Sequence, residues 1–233
     1  MRKLILLVNM MLLFAGVVNA QTIKYGIKGG ANISQLKLDV DENFQKSIKE
    51  KYHESDVGGL FEFEPQTGFM LGAFLKYRLS RHISLQPEIQ FNRLGGEINR
   101  LDVVLNPLEE AYVLPNEFSY SSYRLTLDYI SLPLNLKIYL VEGLNVQVGP
   151  QLAFLISAQE KKQDDTAEND KVDVKDGFKS SDFGMQVGLG YEFDFNLVAE
   201  TKFYHGQSNF LTSNDRGDKM KNSYFQFNLG YMF

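Results

Sequence analysis

The sequence predicts an all-β protein: an eight-stranded antiparallel up-and-down transmembrane β-barrel of meander topology. Three observations carry that prediction. Segments that alternate apolar and polar residues with period two recur along the chain. The connections between them alternate short and long. The composition holds 18 Phe, 12 Tyr and 19 Gly but no Trp, which suits strands that are greasy on one face only.

The first segment is not a strand. Arg2 and Lys3 precede an apolar run from Leu4 to Val18, and Val18-Asn19-Ala20 supplies short residues before Gln21. This predicts a signal peptide over 1–20, cleaved between Ala20 and Gln21, because the run is too short to span a bilayer as a helix. The barrel domain is then 21–233.

Strand one, about 22–34, sets Ile23, Tyr25, Ile27, Ala31 and Ile33 against Lys24, Lys28, Asn32 and Ser34. Strand two, 68–79, sets Phe69, Leu71, Ala73, Leu75 and Tyr77 against Gly72, Lys76 and Arg78. Strand three, 82–92, alternates most cleanly, with Ile83, Leu85, Pro87, Ile89 and Phe91 opposite Ser84, Gln86, Glu88, Gln90 and Asn92. Strand four, 125–140, carries Ile130, Leu132, Leu134, Leu136 and Ile138 away from Ser131, Asn135 and Lys137. Strand five covers 144–156 and strand six 182–191, both with Gly and Gln between large apolar residues. Strand seven, 196–205, is weaker, since Thr201 breaks its apolar face and Val198 its polar one. Strand eight is 225–233, apolar or aromatic at every odd position. Pro87, Pro133 and Pro150 lie inside these patterns, so pairing should be distorted at each.

Short links fall at Ser80-Arg81, Val141-Glu142-Gly143 and around Asp194-Phe195. Long ones fall at about 36–67, 94–123, 157–181 and 206–221. One face is bulky and apolar while the other holds Gly, Lys, Glu and Gln, so the apolar face is assigned to lipid. A soluble barrel of the lipocalin kind would invert that assignment and need a wide greasy cavity. Aromatics should then form two girdles, with Tyr25, Tyr77, Tyr191, Tyr231 and Phe233 at the short-turn end and Phe69, Phe91, Phe154, Phe183 and Phe203 at the other.

The stretch from Phe225 to Phe233 resembles the terminal signal by which Gram-negative outer-membrane barrels are recognised, which implies an insertion signal at Leu229, Tyr231 and Phe233. Further blocks resemble the PorT-type outer-membrane β-barrel family. They include Tyr25-Gly26-Ile27-Lys28-Gly29-Gly30-Ala31-Asn32, Leu85-Gln86-Pro87-Glu88-Ile89-Gln90-Phe91, Asp128-Tyr129-Ile130-Ser131-Leu132-Pro133-Leu134-Asn135, Val148-Gly149-Pro150, and Asp182-Phe183-Gly184 before Gly188-Leu189-Gly190-Tyr191-Glu192. The resemblance implies an outer-membrane location, periplasmic short turns and extracellular long loops. Outer-membrane lipid and the barrel-insertion machinery are the implied partners. No reaction follows from it.

Chemistry is sparse. The chain has no Cys, and 29 acidic residues exceed 24 basic ones, which argues against a nucleic-acid partner. An eight-stranded barrel is filled by its own side chains, so Lys28, Lys76, Arg78, Glu88, Lys137, Glu200 and Lys202 are expected to pair inside it as a polar plug. Inward glycines should make room for the long cations. A narrow channel or transport component is the alternative. No catalytic, metal or cofactor residue is assigned. His53, His82 and His205 lack ligand spacing, and a rim enzyme would need His205 beside Glu97, Asp102 or Ser208. The acidic run 164–170 lacks the spacing of a calcium loop, and 41–52 has the periodicity of a short helix capped by Asp41. The long loops are the expected site for an unidentified protein or surface ligand.

Overall fold

The computed structural model describes residues 23–39, 46, 63–101, 120–162, 171–212 and 219–233. Eight strands form the wall: β1 (Ile23–Asp39), β2 (Phe63–Arg78), β3 (Ile83–Leu101), β4 (Tyr120–Tyr139), β5 (Leu144–Lys162), β7 (Ser181–Glu192), β8 (Leu197–Gly206) and β9 (Lys219–Met232). A ninth, β6 (Lys171–Asp173), is a short flap paired with the end of β5. Each wall strand pairs antiparallel with its neighbours in the chain, and β1 pairs with β9 to close the ring. The meander is the predicted one.

Alternation sets the two faces. Along β1, Ile23, Tyr25, Ile27 and Ile33 are exposed while Lys28, Asn32 and Ser34 are buried. The same inversion holds on β4, where Leu132, Leu134 and Ile138 face out and Ser131, Asn135 and Lys137 face in. The interior is therefore polar through the barrel's middle. Aromatic contacts gather at both ends of the outer face: Tyr25, Tyr231 and Phe233 pack with centroids 5.4 and 5.2 Å apart. At the other end Phe69 packs on Phe91 at 5.6 Å and Phe203 on Phe225 at 4.8 Å.

The strands run past the predicted boundaries at the long-loop end. β2 starts at Phe63 rather than near 68, β4 at Tyr120, and β5 continues to Lys162. The reason is a reversal of pattern. Directly above Phe91 and Ile130, Arg93 makes a bidentate pair with Asp128 on the outer face, its Nε and a terminal nitrogen 2.7 and 2.8 Å from the carboxylate oxygens. Arg124 pairs with Glu97 higher still. On the inner face at this level lie Leu36, Leu94, Leu125, Leu127 and Leu155, all buried. Polar outside and apolar inside is the pattern of a water-exposed sheet, which a search for outward apolar residues passes over.

Pro87, Pro133 and Pro150 interrupt pairing without shifting it. The β2–β3 register passes from Phe74↔Glu88 to Tyr77↔Leu85, the β3–β4 register from Pro87↔Leu134 to Gln90↔Ser131, and the β4–β5 register from Pro133↔Gln151 to Leu136↔Val148. Each proline thus loses pairing toward the preceding strand only. True register shifts occur elsewhere, between Pro65 and Met70 and between Asp128 and Tyr129, where Ile156 of β5 is the extra residue.

Asn196 (φ 65) and Gly143 (φ 79) take the left-handed conformation in two of the short turns, where Asn and Gly are the residues that tolerate it. The helix expected over 41–52 lies outside the described residues except Lys46, which is helical. The signal peptide with Ala20 and Gln21, His53, Asp102 and the acidic run 164–170 also lie outside them.

Candidate functional site

Period two sends Lys28 of β1, Lys76 of β2, Glu88 of β3, Lys137 of β4, and Glu200 and Lys202 of β8 into one space, because their strands surround it. Lys28 Nζ is 2.7 Å from Glu88 Oε2 and 2.8 Å from Glu200 Oε2. Lys202 Nζ is 3.0 Å from Glu88 Oε1 and 3.3 Å from Glu200 Oε2. Lys137 Nζ is 2.9 Å from Glu200 Oε1. Both carboxylates therefore bridge lysines from different strands. These side chains are 0–1% exposed, and charges so deeply buried persist only when paired.

Amides complete the layer. Gln86 and Gln90 donate to Glu88, Asn135 donates to it at 2.9 Å, and Gln147 donates to Glu200 at 3.0 Å. Above them Asn32, Asn92 and Gln226 bond to one another across β1, β3 and β9. Glycines give the cations room: a β-carbon at Gly188 would stand 2.9 Å from Lys202 Cγ, and one at Gly230 2.9 Å from Lys28 Cβ. Others serve rings instead, Gly26 admitting Phe74 and Gly184 admitting Tyr204. Under the ionic layer Phe74, Val198 and Met232 form a small apolar cluster.

Two placements differ from expectation. Arg78 is exposed at the end of β2, its guanidinium over the Tyr139 ring at 5.5 Å, and takes part in none of the ion pairs among the described residues. It has the inward parity but sits at the mouth, where the chain turns. Conversely, sequence reasoning passed over Glu192, which pairs with Lys76 and with Lys137 at 3.3 Å and accepts from Tyr139 Oη at 2.7 Å. Extending the even-numbered inward face of β7 by one residue finds it.

The rim tests the enzyme alternative geometrically. His205 is exposed, with Nδ1 3.2 Å from Ser223 Oγ and its ring stacked on Phe203. Ser208 instead donates to Asp182, also missed from sequence, which is buried beside Tyr204 and Asn222. The two groups belong to separate networks. Among the described residues no cluster of His, Asp and Glu is arranged to hold a metal ion.

A match to a known protein family agrees with this architecture. The family described as outer membrane protein beta-barrel domain matches residues 19–212. No curated protein matches the chain. Similar solved structures include Ail, the attachment invasion locus protein of Yersinia pestis, in complex with the heparin analogue sucrose octasulfate (13% identity, 91% of this chain and 99% of that one, TM-score 0.42). Neisserial surface protein A is similar at 10% identity, over 90% of this chain and 97% of that one, with a TM-score of 0.47. OprG of Pseudomonas aeruginosa is similar at 11% identity, over 91% and 97%, with a TM-score of 0.42.

Proposed function

The chain belongs to the outer membrane protein beta-barrel domain family and sits in the outer membrane, and from that premise we propose that it is a non-enzymatic barrel with a closed lumen that acts through its extracellular end. Its task is structural or partner-binding, the partner being a protein or surface ligand met by the long loops. The block pattern supports a place among the PorT-type barrels. The observation that carries the closed lumen is the ion-paired layer of Lys28, Glu88, Glu200, Lys202 and Lys137. Side chains from β1, β3, β4 and β8 meet there, so an ion would have to displace salt bridges to pass. The insertion signal at Leu229, Tyr231 and Phe233 belongs to the same reading.

One observation favours the narrow-channel alternative. The amide oxygens of Gln86, Asn145, Gln147 and Asn228 are buried with no donor among the described residues, and such groups are ordinarily satisfied by water. Reconstitution into planar bilayers separates the two. The closed lumen predicts no steady unitary current; a selective current that changes with Lys137→Met or Glu88→Gln establishes the channel instead. Crosslinking in intact envelopes, with recovery of attached proteins, tests the partner-binding half.

A further inference from the structure

Above the ionic layer the barrel holds an interior of a different kind. The carboxylate of Asp182, 2% exposed, accepts hydrogen bonds from neutral groups: Tyr204 Oη at 3.1 Å, Asn222 Nδ2 at 3.1 Å and Ser208 Oγ at 2.5 Å. None of the ion pairs among the described residues includes it. Glu88 and Glu200, equally buried, each have more than one lysine. A buried carboxylate without a counter-charge is costly, and here it borders a chamber lined by leucines, Ala153, Ala158, Met220 and the rings of Tyr129, Tyr204 and Tyr224.

That chamber is occupied by the chain itself. The segment 207–212 crosses the mouth and buries Phe210 completely. Phe210 stacks on Phe178 at 5.6 Å, and the segment is tied to 177–179 by Lys179 N donating to Phe210 O and Thr212 N to Gly177 O. Two residues before Phe210, Ser208 sets its hydroxyl on Asp182. One short strap thus supplies both a polar donor for the carboxylate and an aromatic body for the apolar space, which are the two halves of an amphipathic ligand.

We infer that this chamber is a binding site for a small organic cation with an apolar body, an arylalkylammonium in chemical class, taken up when the strap is displaced. The ammonium replaces the Ser208 hydroxyl on Asp182, beside the Tyr204 hydroxyl and the Asn222 amide, and supplies the counter-charge that no described residue supplies. The aryl group replaces Phe210. This inference goes beyond the closed-lumen reading, since it concerns the chamber above the plug and survives whichever way the conductance experiment turns out.

The test is calorimetric titration of 2-phenylethylammonium, and of neutral 2-phenylethanol, into the full-length protein in lipid nanodiscs. The expected result is saturable binding of the ammonium, with the alcohol weaker by on the order of tenfold. Asp182→Asn is expected to lose on the order of tenfold for the ammonium alone, while Phe210→Ala and Ser208→Ala, which remove the internal occupant, bind it more tightly. Gel mobility and circular dichroism report whether each variant is folded. Should Asp182→Asn fail to fold, the ammonium-to-alcohol ratio in Phe210→Ala decides. No binding by the parent and Phe210→Ala overturns the inference. So does equal binding of ammonium and alcohol, or a folded Asp182→Asn that binds as the parent does.

Discussion

Glu200 receives three lysines, Lys28, Lys137 and Lys202, and is the side chain whose loss the lumen should tolerate least. Changing it to Gln leaves shape and hydrogen bonding nearly intact but strands positive charge among buried groups. Breaking a buried pair from one side costs about 3–5 kcal/mol, so Glu200→Gln is expected to lower the unfolding free energy by that amount in urea titrations from lipid vesicles. Arg124→Ala, which removes a half-exposed pair with Glu97, should cost under about 1 kcal/mol. Equal costs would mean that the buried layer contributes no more than a surface pair. Most of this layer was legible from parity alone, since a period of two places Lys28, Glu88, Lys137, Glu200 and Lys202 on the polar face. Glu192 was not, because it falls one residue past the last clear alternation. Asp182 and the three tyrosines were not either, because inward tyrosines look like girdle aromatics until their parity is checked against their depth.

Along β4 the outer face changes solvent within a few residues. Asp128 pairs with Arg93 at the top, Leu134 lies in the middle and Leu140 at the turn. Charge on a lipid-facing strand position costs about 2–4 kcal/mol at the bilayer midplane and falls to about 0–1 kcal/mol near an interface. Leu134→Arg should therefore destabilise the vesicle-embedded barrel severalfold more than Leu140→Arg, measured by the same urea titration. A reversed order would show that the apolar band is not centred near Leu134. The turn ends of the strands were readable because Gly143 and the residues around Asp194 interrupt the pattern where the chain reverses. The upper ends were not, since above Ile130 the inner face becomes Leu127 and Leu125 while the outer face becomes Asp128 and Arg124. An alternating strand with its faces exchanged keeps its period and loses only the sign by which it was sought.

Closure of the ring brings the two ends of the domain together along β1 and β9, from Gly26↔Met232 to Asp39↔Lys219. That seam is formed by segments far apart in sequence, so its loop-closure entropy is the largest in the fold, and any obstruction there acts on the whole molecule. Gly29 and Gly30 sit side by side in it, facing opposite ways. A β-carbon on Gly29 meets nothing closer than Leu71 Cδ2 at 3.2 Å, a flexible side-chain atom, whereas one on Gly30 would stand 2.0 Å from the backbone oxygen of Phe227. The backbone cannot yield without parting the two strands, and crowding of this kind costs about 1–3 kcal/mol or more. Gly30→Ala should reduce the fraction that reaches the heat-resistant, fast-migrating form when folded into vesicles, and Gly29→Ala should change it little. Equal behaviour of the two variants would mean that β1 and β9 do not approach as closely as Phe227 and Gly30 do here, and the closed ring itself would need revision. If only Gly30→Ala fails, a single added methyl group on the inner face has blocked closure while its neighbour on the outer face has not.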